Sequence, residues 1–592
     1  MSICFVLFAF LTKIASENNI EIESKMEKHH TFISDDLKIN SFSNLEPYFT
    51  DLLERPLTNT SQVSKWLTDW SELESFVSED LAWRYIKTTC NTADKKAEAA
   101  FNTFVAEIEP KIAIVSDKIN KRFLTDEVQL HIDKAKLFTM VREAKMAAKL
   151  FREENVPIEA ELQQAEQEFG AITSQMTINV GGKDLTMQQA ANYIKTAERP
   201  ERKRVFELMN QRRLQDKDKI NSLLDRLLDK RGQLAHNAGF SNYIDFRFCQ
   251  LGRFDYTVQD CFNFHDAIEK IVVPIVEEIN QRRKKLMNVD TLRPYDLSVD
   301  LPLGTHLKPF DTIDELVLKT GLCFRDLDAE LGMYMGRMRQ LGRLDLDSRI
   351  GKAPGGYNYP LYESNTSFIF MNATNNLSDM VTLMHEGGHA VHAFLCANQP
   401  LVALKNTPAE VAELASMSME LLSMAHWNHF FKDEKQLKIA KLNQLEDVVS
   451  GLPWIAAIDK FQHFLYTHPN HTVAEREQAW LEIENRFGCK VVDYSGYDEI
   501  RANKWQRQLH IFETPLYYIE YGFAQLGAIS IWKRFTEKPE QAIADYKKAL
   551  KLGYSRSIPE IYETAGIKFC FTPDYIAELM NFVRSEMQKL EE

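Results

Sequence analysis

No Cys-x-x-Cys pair occurs in this chain. Its eight cysteines stand singly at positions 4, 90, 249, 261, 323, 396, 489 and 570. That spacing matches neither a zinc ribbon nor a dense disulfide framework, and scattered thiols fit a reducing, cytoplasmic setting. Long Lys/Arg runs are missing as well, and the formal net charge is -14. A nucleic-acid binder more often carries a basic surface, so no nucleic-acid partner is expected. There is no internal repeat and no low-complexity tract. The apolar stretch "ICFVLFAFL" near the N-terminus is well under the span of a bilayer helix, so no stable membrane insertion is expected. No Lys or Arg precedes it and no clear small-x-small cleavage site follows, which argues against a signal peptide. Residues 1–25 read as a dispensable extension, with translation starting at Met26. Mass spectrometry of the native N-terminus checks this: a chain starting at Met26 is expected, and one starting near Ser16 would point to secretion instead.

At 592 residues the chain exceeds what one hydrophobic core usually serves, so two or more lobes are expected. Apolar residues make up 44% and charged residues 26%, ordinary for a globular protein. Most of the text has apolar residues at three- and four-residue spacing, the pattern of amphipathic helices. "MTINVGGKDLT" reads as a hairpin around Gly181-Gly182. "RIGKAPGGYNYPLYES" reads as a loop from its Gly, Pro and Tyr content, with Gly355-Gly356 able to close over a ligand. "TSFIFMNAT" reads as a short strand. It either offers a free edge to an extended peptide or lies in the core with both edges paired.

"LMHEGGHAVHAFL" carries the chemistry. Residues four apart share a helix face, so His385 and His389 can aim two imidazoles at one ion. Glu386, rotated about 100° from His385, is badly placed as a ligand but well placed as a base beside that ion. This is the zincin arrangement. Gly387 and Gly388 each cost a helix interior about 1 kcal/mol relative to Ala, so a close approach by another backbone or a substrate is expected there. A third ligand is needed. His392 lies on the same rigid helix and reads as a packed or supporting residue. The metzincin pattern would want a glycine where the chain has His392 and a histidine where it has Leu395, which excludes that class.

"NTPAEVAELASMSMELL" offers the third ligand. Thr407, Pro408 and Glu410 form a capping-box pattern, which assigns Glu410 to the helix start. Glu413 has no such task and lies among apolar residues, where a metal would be a good partner for a buried carboxylate. Glu420 follows seven residues on, either accepting a hydrogen bond from a ligand histidine or standing at the surface. Further along, "WQRQLHIFETPLYYIEYGFAQLG" holds His510, Tyr518 and Tyr521. These are either neutral donors to a developing oxyanion or an ordinary core cluster.

Taken together, these segments resemble the thimet oligopeptidase / oligoendopeptidase F family of zinc peptidases, closer to the bacterial oligoendopeptidase F branch. The resemblance runs from about Arg199 to the C-terminus and is strongest over Gly351–Trp532. It implies one Zn²⁺ per chain on His385, His389 and Glu413, Glu386 as general base, His510 and Tyr521 as transition-state donors, and Tyr518 as a substrate-binding neighbour. The implied fold is mainly α: a two-lobed helical zincin with a deep channel for short unfolded peptides and a small β element at the active site. The expected division is a helical N-terminal lobe over 26–198 and a catalytic domain over 199–592. The implied activity is hydrolysis of internal peptide bonds. Two alternatives stay open. One is a C-terminal-directed metallopeptidase of the dipeptidyl carboxypeptidase kind, with Arg501, Lys504 or Arg507 as the cationic anchor. The other is a non-catalytic peptide-binding protein on the same fold.

Overall fold

The computed structural model describes residues 30–303, 307–349 and 351–592. The apolar N-terminal stretch and the Met26 start lie outside them. Eight helices position the site: α1 (Thr60–Cys90), α2 (Arg199–Leu214), α3 (Ile313–Leu327), α4 (Leu377–Leu395), α5 (Ala409–Ser423), α6 (Glu434–Thr467), α7 (Leu509–Glu513) and α8 (Ile519–Glu537). The strands are β1 (Thr177–Val180), β2 (Lys183–Thr186), β3 (Leu344–Asp347), β4 (Tyr357–Leu361) and β5 (Thr366–Ala373). The mainly α class with a small β element follows the reading of the sequence.

Local sequence explains several of these elements. β1 and β2 pair as an antiparallel hairpin whose turn glycines have φ of 60° and 83°. Both angles are left-handed, as a type I′ turn requires. α4 begins at a reciprocal cap: the Asn376 side chain accepts from Asp379 N at 3.1 Å, and the Asp379 carboxylate accepts from Asn376 N at 3.0 Å.

The expected cap of α5 is not present. No side chain caps its start, and Glu410 is 2% exposed. Glu410 instead joins a buried group: its carboxyl faces Tyr256 and Arg253, whose guanidinium donates to Glu520 Oε1 at 2.8 Å. An arginine held out of water demands carboxylates, and that need overrides the local capping pattern.

The region expected as a loop contains a strand. Residues 357–361 form β4, antiparallel to β5, with Tyr357 opposite Phe370 and their rings stacked at 4.8 Å. Strand order is β3-β5-β4. β5 is therefore paired on both sides and has no edge to offer a peptide. The outer strands are β3 and β4; Pro360 of β4 supplies no ladder donor and is tolerated because that strand is an edge. Gly355, with φ of 96°, stands in the turn just before it.

Two apolar cores meet near the site. The larger gathers residues of α3 to α8, including Phe324, Leu383, Leu414, Leu452 and Phe523. The other is built around Trp66, Trp70, Phe104 and Phe123, and Leu401 and Leu404 reach into it from just beyond α4. Val402 N also donates to Ser71 Oγ at 2.7 Å, which ties that segment to α1. α1 covers the sheet as well, where Thr89 Oγ1 and the Tyr357 hydroxyl hydrogen-bond at 2.6 Å.

The two glycines of α4 have separate reasons. A Cβ on Gly388 would lie 2.6 Å from Ser416 Cα and 2.9 Å from Ala415 O, both on α5. A Cβ on Gly387 would lie 2.8 Å from the Phe324 ring of α3. Protein neighbours, not a substrate, require them. Gly388→Ala is expected to force α4 and α5 apart, lowering stability by about 1–3 kcal/mol and weakening metal binding. Denaturant unfolding and metal analysis check this; an unchanged variant would show that the contact tolerates a side chain.

Candidate active site

α4 presents His385 and His389 on one face, with ring centroids 4.9 Å apart. α5 brings Glu413 to them. Its Oε2 lies 3.3 Å from His385 Nε2 and 3.5 Å from His389 Nε2. One donor atom from each residue falls within 4.8 Å of the others, a spacing that suits a single divalent ion. The set is two imidazoles and one carboxylate, borderline-soft nitrogen plus hard oxygen, which suits zinc among the common metals.

The surrounding hydrogen bonds orient these ligands. His385 Nδ1 lies 2.7 Å from Glu420 Oε1, so Nδ1 carries the proton and Nε2 is free for a metal. Glu420 is held in turn by Gln444 Nε2 at 2.8 Å. Of the two readings for Glu420, the hydrogen-bonded one is what the structure has. Glu413 Oε1 accepts from the Tyr517 hydroxyl at 2.8 Å, and Oε2 accepts from Ser416 Oγ at 3.0 Å. Burial pushes the Glu413 carboxyl up, but the two histidines outweigh it and hold the group well below the usual carboxylate range. Burial likewise lowers His385, yet Glu413 and Glu420 raise it well above an ordinary histidine. A pocket that stabilises positive charge this strongly suits a divalent cation in place of those protons.

Glu386 is 6% exposed, and its Oε2 has no hydrogen-bond partner among the described residues. Burial raises its pKa. Its main-chain carbonyl accepts from Asn358 Nδ2 at 3.2 Å, which links the start of the β4 edge to the α4 helix. Both line a cavity of about 340 Å³ together with His385, His389, Glu413 and Tyr521. His392 also lines it; burial lowers its pKa to about 3, and its Nε2 has no partner among the described residues.

His510 Nε2 lies 3.2 Å from the Tyr521 hydroxyl. The tautomer of His510 follows from its neighbours. Trp454 Nε1 can only donate, and it donates to Gln508 Oε1 at 2.9 Å. The Gln508 amide nitrogen therefore faces His510 Nδ1, at 2.8 Å, and donates to it. The ring proton is left on Nε2. Burial lowers His510 to about 4, so near neutral pH it is an uncharged donor. Burial keeps the Tyr521 hydroxyl protonated too, well above its ordinary range.

Tyr518 stands apart. Its ring packs against His510 at 4.9 Å and Tyr521 at 5.3 Å, and its hydroxyl lies by Trp454 and Gln508. Tyr357, Tyr362, Tyr517 and Tyr521 line the cavity, and Tyr518 does not. Tyr517, Gln508 and Trp454 were not found from the sequence. Tyr517 sits four residues before Tyr521, a helical spacing, but it precedes the start of α8, so periodicity carried no weight there. Of the basic residues considered as anchors, Arg501 donates to Glu484 at 2.5 Å and Lys504 lies 3.7 Å from the same carboxylate. Both are already paired.

A helical fold that brings two histidines one turn apart to a glutamate on the next helix defines a class of metal-site proteins. The model for "Peptidase family M3" matches residues 192–581, and that for "Peptidase M3 N-terminal domain" matches 35–151. The chain belongs to peptidase family M3. Within it, the likeness is to the oligoendopeptidase F branch. The chain is 25% identical over 296 residues to an oligoendopeptidase F homolog of Borreliella burgdorferi, covering 48% of each chain. It is 23% identical over 418 residues to oligopeptidase PepF of Bacillus subtilis, covering 69% of this chain and 60% of that one. The chain thus spans about half to three fifths of these curated relatives. Among solved structures, PZ peptidase A with an inhibitor superimposes with a TM-score of 0.89 at 25% identity, covering 93% of this chain and 98% of the other.

Glu413→Ala is expected to lose bound metal after dialysis, whereas Glu410→Ala keeps it while losing stability. Elemental analysis checks this, and the reverse result would assign the wrong ligand.

Proposed function

We propose that this chain is a zinc-dependent oligoendopeptidase, which hydrolyses internal bonds of short unfolded peptides. One observation carries the reading: three ligand atoms within 4.8 Å of one another share a cavity with the buried Glu386, whose Oε2 has no partner among the described residues. Membership of a peptidase family supports it. The expected catalytic domain, 199–592, holds every residue of the site.

Zn²⁺ on His385, His389 and Glu413, when bound, would polarise the scissile carbonyl and acidify a water. Glu386 takes the proton of the attacking water and passes it to the leaving amine, a role its raised pKa favours. His510 Nε2–H and the Tyr521 hydroxyl donate to the carbonyl oxygen as it gains charge. Tyr517 steadies Glu413 from the side away from the imidazoles, and Tyr518 holds the donor segment in place. The free edge of β4, not β5, is the strand that would pair with substrate backbone, since Gly356, Tyr357 and Asn358 line the cavity. The channel takes peptides rather than nucleic acid.

Compartment follows from chemistry. The seven described cysteines are all free, which fits a reducing, cytoplasmic setting. Among the described residues no helix is long and apolar enough to cross a membrane.

Glu386→Gln is expected to keep its zinc and lose about 10²–10⁴-fold in kcat, the range for removing a general base. Tyr521→Phe is expected to lose about 10²–10³-fold, as for an oxyanion donor. Both are read on a mixed peptide pool by mass spectrometry, beside wild type stripped with a chelator and restored with zinc. Near-normal cleavage by Glu386→Gln would remove that residue from the reaction. Cleavage that survives chelation would sink the metallopeptidase reading.

A further inference from the structure

We propose that Arg253, joined by Arg231 and Arg247, is a positioning residue of the peptidase: the guanidinium holds the segment between His510 and Tyr521 by its main-chain carbonyls, so that Tyr517 reaches Glu413 and Tyr521 reaches His510. This rests on the peptidase reading and adds what fixes its donors.

The segment joins α7 to α8, and α7 has only 5 residues. The last carbonyls of a helix have no partner within it, so a helix this short needs acceptor partners from elsewhere. Arg231 supplies them for two residues: its Nη1 donates to Ile511 O at 3.0 Å, and its Nη2 donates to Phe512 O. Arg247 Nε donates to Pro515 O at 3.2 Å. Arg253 Nη2 donates to Leu516 O. All of these arginines come from residues 231–253, and every carbonyl they meet lies between His510 and Tyr521.

Leu516 is where this grip matters most. Its φ is 61°, left-handed, which is unfavourable for leucine because Cβ crowds the following carbonyl oxygen. Such a residue persists only where its surroundings over-determine it. Here Leu516 N donates to Gln462 Oε1 at 2.7 Å, Leu516 O accepts from Arg253, and the side chain is fully buried. Arg253 also grips the next turn, where its Nε and Nη2 donate to Glu520 Oε1 at 3.2 and 2.8 Å. One guanidinium thus spans Leu516 and Glu520, and the residues that follow these are Tyr517 and Tyr521. Tyr517 donates to Glu413 Oε1 at 2.8 Å, and the Tyr521 hydroxyl lies 3.2 Å from His510 Nε2.

Arg253 is itself fixed. The helix Tyr243–Gln250 is followed by Gly252, whose φ is 64°. Gly252 N donates to Cys249 O and Arg253 N to Phe248 O, both at 3.1 Å, the paired bonds of a Schellman cap. The guanidinium then lies 4.4 Å from the centroid of the Phe248 ring. Its rigid planar fork can bond acceptors on two turns at once, whereas a lysine ammonium is a point charge on a flexible stem.

The test compares Arg253→Lys and Gln462→Met with a matched control, Arg202→Lys. Arg202 is also buried, and it too bonds a carboxylate, Asp296, and two carbonyls, Thr196 O and Ala197 O, none of which belongs to the site. Each protein is measured for kcat and KM on one peptide, for zinc affinity, for thermal stability and for backbone hydrogen exchange over 510–521. Arg253→Lys and Gln462→Met are expected to lose about 10–100-fold in kcat, the range for partners that orient a ligand or donor, with KM little changed. They should also bind zinc more weakly and exchange faster over 510–521. Arg202→Lys is expected to lose stability while keeping kcat and that exchange near wild type. Wild-type kcat in Arg253→Lys, or an equal loss in Arg202→Lys, overturns the positioning role and leaves the peptidase reading standing. Faster exchange with unchanged kcat overturns it too, since the donors would then work without the grip. If Arg253→Lys fails to fold, Gln462→Met, which loosens the same Leu516 turn from its other side, decides by the same criteria. Exchange and zinc affinity are read without turnover. Changes in them confined to Arg253→Lys and Gln462→Met, with no hydrolysis by wild type, would support the grip while sinking the peptidase reading.

Discussion

The backbone of α4 at Gly388 and that of α5 at Ser416 approach so closely that no Cβ fits between them, and the rest of the site depends on that contact. It is what lets Glu413, on α5, reach both imidazoles of α4 at 3.3 and 3.5 Å. A wider interhelical gap would leave two histidines on a helix face and a buried carboxylate out of reach. Glycine in a helix interior is unfavourable on its own, so the local cost is offset by the packing and the ligand geometry it permits.

Around that contact, hydrogen bonds decide which atom faces which. Glu420 and Gln444 turn His385 so that Nε2 points to Glu413. Tyr517 and Ser416 occupy the Glu413 lone pairs that the histidines do not face. Trp454 fixes Gln508, and Gln508 fixes the proton of His510 on Nε2. Each chain starts from a group with no choice of role, a carboxylate or an indole N–H, and passes that constraint to an imidazole that has two. The ordered neighbours thus pre-set donors that would otherwise have to reorganise during a reaction.

Charge follows the same rule. Arg253 is enclosed with Glu410, Glu520 and Tyr256, and Arg501 and Lys504 share Glu484. Arg507, which solvent reaches, lies over the Trp454 ring instead.

Much of this was legible in the text of the chain because it depends on neighbours a few residues apart. Helical spacing sets His385 and His389 on one face, Gly181-Gly182 dictates a hairpin turn, and the apolar surroundings of Glu413 mark it as a carboxylate in need of a partner. The Thr407–Glu410 pattern misled for the converse reason: a cap is worth about 1 kcal/mol, and a buried arginine across the fold outweighs it. Only tertiary structure could decide that β5 lies in the middle and β3 and β4 outside, since alternation and composition do not say which strand lies outermost. It also brought Tyr517 to Glu413 and Gln508 to His510, and it paired Arg501 with Glu484. Those outcomes hinge on the meeting of segments far apart in sequence, which packing governs and local spacing does not.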